Sequence, residues 1–315
     1  MLPAQAHFVW MGPSLPWAYV LAIRSAAIRG ELDGVTLHHT DALNTGPGLD
    51  LLEGTQGVRL ARLDPLECAR QVGAELGLDA GLTELYARVQ SPVARSNILR
   101  AALLHLLGGI YLDLDTVTVK SLRPLLVDHQ FVGCEHIVWP RSVLVSSSRL
   151  LRYKSLALSS LRDGLRRLPR GYRYFRGMSG LYYHGINGAI VGAEPRAPLM
   201  AQYLQAMVAE PQDRQQAKHG LGTHLLQLQV EGYTGQDLKI HTPDVFYPLP
   251  PEIAEHWFRL GSRPRLDEAL YPTTHVVHWY ASARAKPFVE AVCPDYIRQH
   301  AHRQLYSALV EPFLN

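Results

Sequence analysis

Short apolar runs alternate with longer stretches of helical periodicity through the first half of the chain, the pattern of an α/β sheet. Residues 7–11 predict a strand ending at Gly12, and residues 19–28 a helix stopped by Gly30. Residues 35–39 and 58–63 predict two further strands. Asp64-Pro65 opens a helix, with a capping carboxylate and a proline at the first helical position, where no amide donor is needed. Ser91-Pro92 repeats that signal for a long helix to residue 107, stopped by Gly108-Gly109. Residues 110–115 predict a strand apolar on both faces up to two carboxylates, and residues 131–137 another strand.

The pattern changes in the middle. From Arg149 to Arg176 nine basic residues face a single acid, Asp163, with leucines interleaved. This reads as a basic amphipathic helical segment inserted on the sheet, most simply a solvated helix face. Afterwards the α/β pattern returns. Strands are predicted over 187–192 and 275–280, helices over 198–209 and 222–230, a loop over 246–250, and a closing helix around 297–310.

The chain of 315 residues is 47% hydrophobic, which leaves enough apolar mass for a sizeable core. A formal charge of +3 is too small to imply nucleic-acid binding. Cys68, Cys134 and Cys293 are few and far apart, which argues for a reducing compartment without a disulfide framework. No apolar run is long enough to span a bilayer, and the first residues lack the basic start of a secretion signal. A cytoplasmic protein is the expectation.

The chemistry is concentrated in Gly108-Gly109-Ile110-Tyr111-Leu112-Asp113-Leu114-Asp115. In an extended strand, residues i and i+2 point to one face, so Asp113 and Asp115 converge. Two convergent carboxylates repel unless a hard cation sits between them and a phosphate group. No GxGxxG loop is present, so a diphosphate would be held by that cation rather than by a helix N-terminus. Cys134, Glu135 and His136 alternate faces on a strand and read as packing and edge residues.

Taken together, these pieces resemble the DXD-containing glycosyltransferases of the GT-A fold. The group includes yeast-type mannosyltransferases, bacterial capsule-type transferases and, more distantly, the catalytic domains of the large clostridial glucosylating toxins. Three runs carry the likeness in order: His7-Phe8-Val9-Trp10-Met11-Gly12, Ser96-Asn97-Ile98-Leu99-Arg100, and the block ending in Asp113-Leu114-Asp115. The resemblance implies one Rossmann-type α/β/α sandwich over residues 1–315, with 141–180 as a helical insertion on the acceptor side. It implies transfer of a sugar from a nucleotide-sugar donor, UDP-sugar favoured, with retention of anomeric configuration.

The resemblance also distributes roles. Trp10 would stack on the base, with backbone groups near Val9 reading its edge. Asn97 stands where the family has aspartate, and Arg100 would reach the donor sugar or phosphate. Tyr111 would line the donor pocket. Asp113 would contact ribose and sugar and support the metal's water shell. Asp115 would ligate Mn2+ or Mg2+, with His278 as the third protein ligand. Asn187 would touch donor sugar or acceptor, and Ser282 the donor phosphates. Gly222-Thr223 would be a turn allowing close backbone approach, and Ala283 replaces a common tryptophan. Each residue has a plainer role open to it: Trp10 as core, Arg100 as a partner of the carboxylates, Asn187 as structure, His278 as a satisfied histidine with His275 as its rival.

The expected acceptor is a glycan, a lipid-linked intermediate or a small metabolite. Peripheral membrane contact through Arg149–Arg176 is one functional reading of the basic segment, an acidic acceptor or a lid another. The alternatives are a toxin- or effector-like protein glycosyltransferase, a metal-dependent nucleotide-sugar hydrolase, for which Glu135 or His136 would have to supply the base, and a non-enzymatic binding module.

Overall fold

A computed structural model describes the whole chain except residues 218, 219 and 262 and the side chains of residues 283 and 284. Nine strands are found among the described residues: β1 (Gln5–Trp10), β2 (Gly34–His39), β3 (Val58–Arg62), β4 (Gly109–Leu112), β5 (Thr116–Thr118), β6 (Gln130–Ile137), β7 (Tyr183–Ala193), β8 (Leu238–His241) and β9 (Val276–His278). Seven of them form one sheet in the order β3-β2-β1-β4-β7-β6-β8. Only β7 runs against its neighbours. The remaining two, β5 and β9, pair antiparallel in a separate ribbon.

Residues of the central strands are buried on both faces, which is why those strands read as continuous apolar runs rather than alternating ones, while the edge strands β3 and β8 are partly exposed. Phe8, Ile110 and Leu112 enter one apolar layer, with the Trp17–Arg29 helix and the C-terminal helices. Val9 and Tyr111 enter the other, with the helices Pro65–Leu76, Pro92–Leu107 and Pro198–Ala209. The result is an α/β/α sandwich. Asp64 caps its helix by accepting from the amides of Leu66 and Glu67, as the Asp-Pro signal requires.

Several boundaries differ from expectation: β7 starts four residues earlier than expected, β9 stops at His278, and three further elements differ. The strand expected over 110–115 ends at Leu112, and Asp113 to Asp115 form a turn between β4 and β5. The helix expected over 297–310 breaks into Pro294–His300 and Leu305–Val310. At the break the fully buried Gln304 turns its amide to the Phe258 carbonyl and the Tyr296 hydroxyl, a tertiary gain that overrides helix continuity. The loop expected over 246–250 is preceded by a short helix, Pro243–Phe246.

The basic segment is helical, as Arg149–Arg167 followed by Gly171–Met178. Its later arginines are held in ion pairs. Arg162 pairs with Glu252 at 2.8 Å, Arg166 with Glu255 at 3.2 Å, and Arg170 and Arg173 both approach Glu268.

Candidate active site

The site is built where the Pro92–Leu107 helix, β4 and β9 meet. Ser91 caps the helix through its Oγ, and the buried positions run without interruption from Asn97 to His105. Asn97 and Arg100 lie one turn apart on this buried rod. The chain then reverses through Gly108 and Gly109, at φ of +67° and +89°. A Cβ on Gly109 would stand 2.6 Å from the Gln5 carbonyl oxygen, so glycine is required where the chain enters β4 beside β1.

The two carboxylates converge through the turn, not through strand alternation. The Asp113 amide donates to the Ala189 carbonyl at 2.8 Å, and the Thr116 hydroxyl donates to the Asp113 carbonyl at 2.7 Å. The β5–β9 ribbon then sets Thr116 opposite His278. Asp115 is held from three sides. Its Oδ1 lies 3.0 Å from His278 Nε2, its Oδ2 accepts from the Ala281 amide at 2.7 Å, and its carbonyl accepts from the Trp279 amide. Tyr280, between those two amides, adopts the left-handed conformation at φ +58°. This is costly for a bulky residue, and it turns the chain back so that Ala281 reaches the carboxylate.

Asp113 faces Arg100, whose Nη2 lies 2.8 Å from its Oδ1. The same guanidinium donates to the Gly188 carbonyl and lies 4.7 Å over the Tyr111 ring. Gly188 is available because β7 bulges: Val191 pairs with Val132 while Asn187 pairs with Gly133, leaving residues 188–190 extra on β7. Asn187 donates to Glu135 Oε2 at 2.8 Å and accepts from the Ala189 amide, and the Tyr280 hydroxyl donates to the same Glu135 oxygen at 2.6 Å.

The electrostatics follow from this arrangement. Burial pushes the Asp113 carboxyl up, and Arg100 only partly offsets it. Burial acts the same way on Asp115, but the His278 charge and hydrogen bond outweigh it and hold that carboxyl below its ordinary range. Burial lowers the His278 imidazole, and Asp115 more than reverses this, so it is raised. Burial carries Glu135 up to about 7.

Carboxylate oxygens of Asp113 and Asp115 and a ring nitrogen of His278 all lie within 4.8 Å of one another. His278 Nδ1 is buried without a hydrogen-bond partner. Two hard oxygen donors and one imidazole suit a divalent cation that accepts mixed oxygen and nitrogen ligands. His275, the rival, turns its Nδ1 to the Ser121 carbonyl at 2.5 Å and stays out of the cluster.

The other expected residues divide. Trp10 leaves β1 at the edge where Asp113 leaves β4. It is half-buried against Tyr19 at 5.3 Å, and its Nε1 has no partner. Val9 is 5% exposed and its side chain lies in the apolar layer, so only its backbone is on offer. Ser282 is exposed on the turn after Tyr280, while the Ala283 side chain lies outside those described. Gly222-Thr223 opens the Thr223–Glu231 helix, and Thr223 lines a cleft of about 580 Å³ together with Glu135, Trp139, His184 and Gln227. Sequence reasoning read Glu135 as packing or edge, and kept it only as a base that a hydrolase would need. The only available signal was an acid in an otherwise apolar strand. Sequence reasoning missed Tyr280, whose backbone conformation leaves no trace in composition.

Residues 74–132 match the glycosyltransferase sugar-binding region containing the DXD motif. No curated protein sequence matches the chain. Among solved structures, the PaToxG glycosyltransferase is similar at 14% identity over 73% of this chain and 69% of that one, with a TM-score of 0.45. The galactosyltransferase LgtC, solved with donor and acceptor sugar analogues, is similar at 12% identity over 94% and 99%, with a TM-score of 0.39. The bifunctional WbbM glycosyltransferase is similar at 11% identity over 100% of this chain and 50% of that one, with a TM-score of 0.49. The DXD family implies use of a divalent metal, and the Asp113–Asp115–His278 cluster offers a place for it. Residues 74–132 thus carry a glycosyltransferase sugar-binding region, with its DXD motif set in an Asp-x-Asp turn at the end of a central parallel strand.

Proposed function

We propose that the protein transfers a sugar from a UDP-sugar to a glycan, lipid-linked or small-molecule acceptor, with retention of configuration and with Mn2+ in preference to Mg2+. The observation that supports this most is the convergence of Asp113, Asp115 and His278 beneath the end of β4. An imidazole in the donor set favours Mn2+, because Mg2+ prefers oxygen ligands throughout. Asp115 and His278 would hold the cation directly and Asp113 in part through water. The cation would neutralise the diphosphate as it leaves.

The chain's own residues do the rest. Trp10 stacks the base at the mouth of β1, with the Val9 backbone at its edge and Asn97 and Tyr111 beneath. Arg100 is fixed by Asp113 and Gly188, so its charge is presented to the donor without reorganisation. Ser282 meets the phosphates. Asn187, oriented by Glu135 and the Ala189 amide, faces the sugar side. The acceptor hydroxyl attacks the anomeric carbon from the face the diphosphate leaves, and its proton passes to the departing phosphate oxygen. Residues 1–315 act as one domain, with 141–180 on the acceptor side. A cytoplasmic site of action fits three free cysteines.

One observation favours a second reading, hydrolysis of the donor: Glu135 is a buried carboxyl that titrates near neutrality beside Asn187. Incubation with UDP-sugars, Mn2+ and a panel of glycan, lipid-linked and protein acceptors separates the two. A glycosylated product with the donor's anomeric configuration by NMR supports transfer. Free sugar at the same rate with and without every acceptor refutes it.

A further inference from the structure

The first part of the basic segment is unlike the rest. From residue 136 to residue 162 the chain has no aspartate or glutamate. Within that stretch the short helix Arg141–Leu144 and the start of the Arg149–Arg167 helix expose large apolar side chains. Leu150 is 78% exposed, Val145 75%, Tyr153 67%, Leu144 54% and Leu156 52%. Around them stand Arg141, Arg149, Arg152 and Lys154, all exposed. Among the described residues none of Arg141, Arg149 and Arg152 pairs with a carboxylate, in contrast with Arg162, Arg166, Arg170 and Arg173 further along.

A soluble protein seldom leaves so many large apolar groups together in water. Their setting names the occupant. Four cations of one sign would repel a second copy of the same face, whereas anionic lipid headgroups complement them while the apolar tips enter the acyl boundary. No helix among the described residues is long and apolar enough to cross a membrane, so the contact lies on the surface.

We propose that residues 141–156 dock the protein on an anionic lipid bilayer, and that the acceptor is a sugar carried by a lipid in that bilayer. Arg141 and Val145 belong both to this face and to the wall of the cleft that holds Glu135 and Thr223. A docked molecule therefore opens that cleft at the headgroup level. The docking half stands on exposure and charge alone, and the acceptor half rests on the transferase reading above.

The test is flotation of the full chain with phosphatidylcholine vesicles, with and without phosphatidylglycerol, at two salt concentrations. The protein should float with the anionic vesicles, less at high salt, and remain behind with the neutral ones. Arg149→Gln with Arg152→Gln should lower the partition by about 30-fold, about 5-fold for each charge. Leu150→Asp with Tyr153→Asp should abolish it. These side chains are exposed, so each variant should keep the wild-type unfolding midpoint and wild-type transfer to a soluble sugar, while transfer to a lipid-linked sugar in anionic vesicles falls with flotation. Equal flotation with neutral vesicles, or wild-type flotation of both variants, overturns the docking. So does a dimer that Leu150→Asp dissociates. Flotation as expected with no loss of transfer to the lipid-linked sugar in the variants overturns the acceptor half. UDP binding measured on the same samples reports separately on the transferase reading.

Discussion

Replacing Glu135 by glutamine removes a charge that the fold resists. The carboxyl titrates near 7 in the native protein against 4.5 in an exposed glutamate, because burial outweighs the hydrogen bonds from Tyr280 and Asn187. As pH rises past 4.5 the unfolded chain releases this proton and the native state keeps it. The stabilisation is therefore complete in acid and is lost as pH rises through 7. At about 1.4 kcal/mol per pH unit between the two titration points, the loss from pH 5 to pH 8 is about 2–3 kcal/mol. Glu135→Gln has nothing to titrate, and its amide oxygen still accepts from Tyr280 and Asn187. Urea unfolding of both proteins in metal-free buffer from pH 5 to pH 8 measures the difference, in which titrations of groups that do not sense Glu135 cancel. The variant should gain on the wild type by that amount as pH rises. Parallel curves would mean that the Glu135 carboxyl is not held up by burial and is in contact with water.

Arg100→Met leaves the Asp113 carboxylate buried without its cation, so unfolding should show a loss of about 2–4 kcal/mol, and transfer should fall to background. Gly188→Ala sets a Cβ against the Arg100 guanidinium, so kcat should drop by about tenfold or more while stability falls by only about 1–3 kcal/mol, checked by steady-state rates and unfolding together. His278→Ala should weaken Mn2+ binding by about 100-fold in a calorimetric titration, with His275→Ala near wild type, since only His278 stands at the carboxylates.

Much of this was legible in the sequence, for identifiable physical reasons. Asp64-Pro65, Ser91-Pro92 and Gly108-Gly109 are local signals, and the helices they bound begin and end where those residues dictate. The carboxylate pair was legible as a pair, but its geometry was not. Period-two alternation would also bring Asp113 and Asp115 together, and the actual cause is a turn closed by the Ala189 carbonyl and the Thr116 hydroxyl. Only the family resemblance chose His278 over His275, because both occupy one short apolar run; the β5–β9 register supplies the physical reason. The buried contacts of Glu135 were not legible, since its partners Asn187 and Tyr280 lie 52 and 145 residues away. The division of the basic segment into paired and unpaired halves depends on Glu252, Glu255 and Glu268, which follow it by roughly a hundred residues and carry no local mark.

In the proposed site, Asp113, Asp115 and His278 would hold a cation that binds the donor's diphosphate. Calorimetric titration of UDP into the protein, with and without Mn2+, for wild type and Asp115→Asn, tests it most directly. Binding should strengthen by about tenfold or more with Mn2+ in the wild type and lose that dependence in the variant. Equal UDP binding under all four conditions, or none under any, would contradict it.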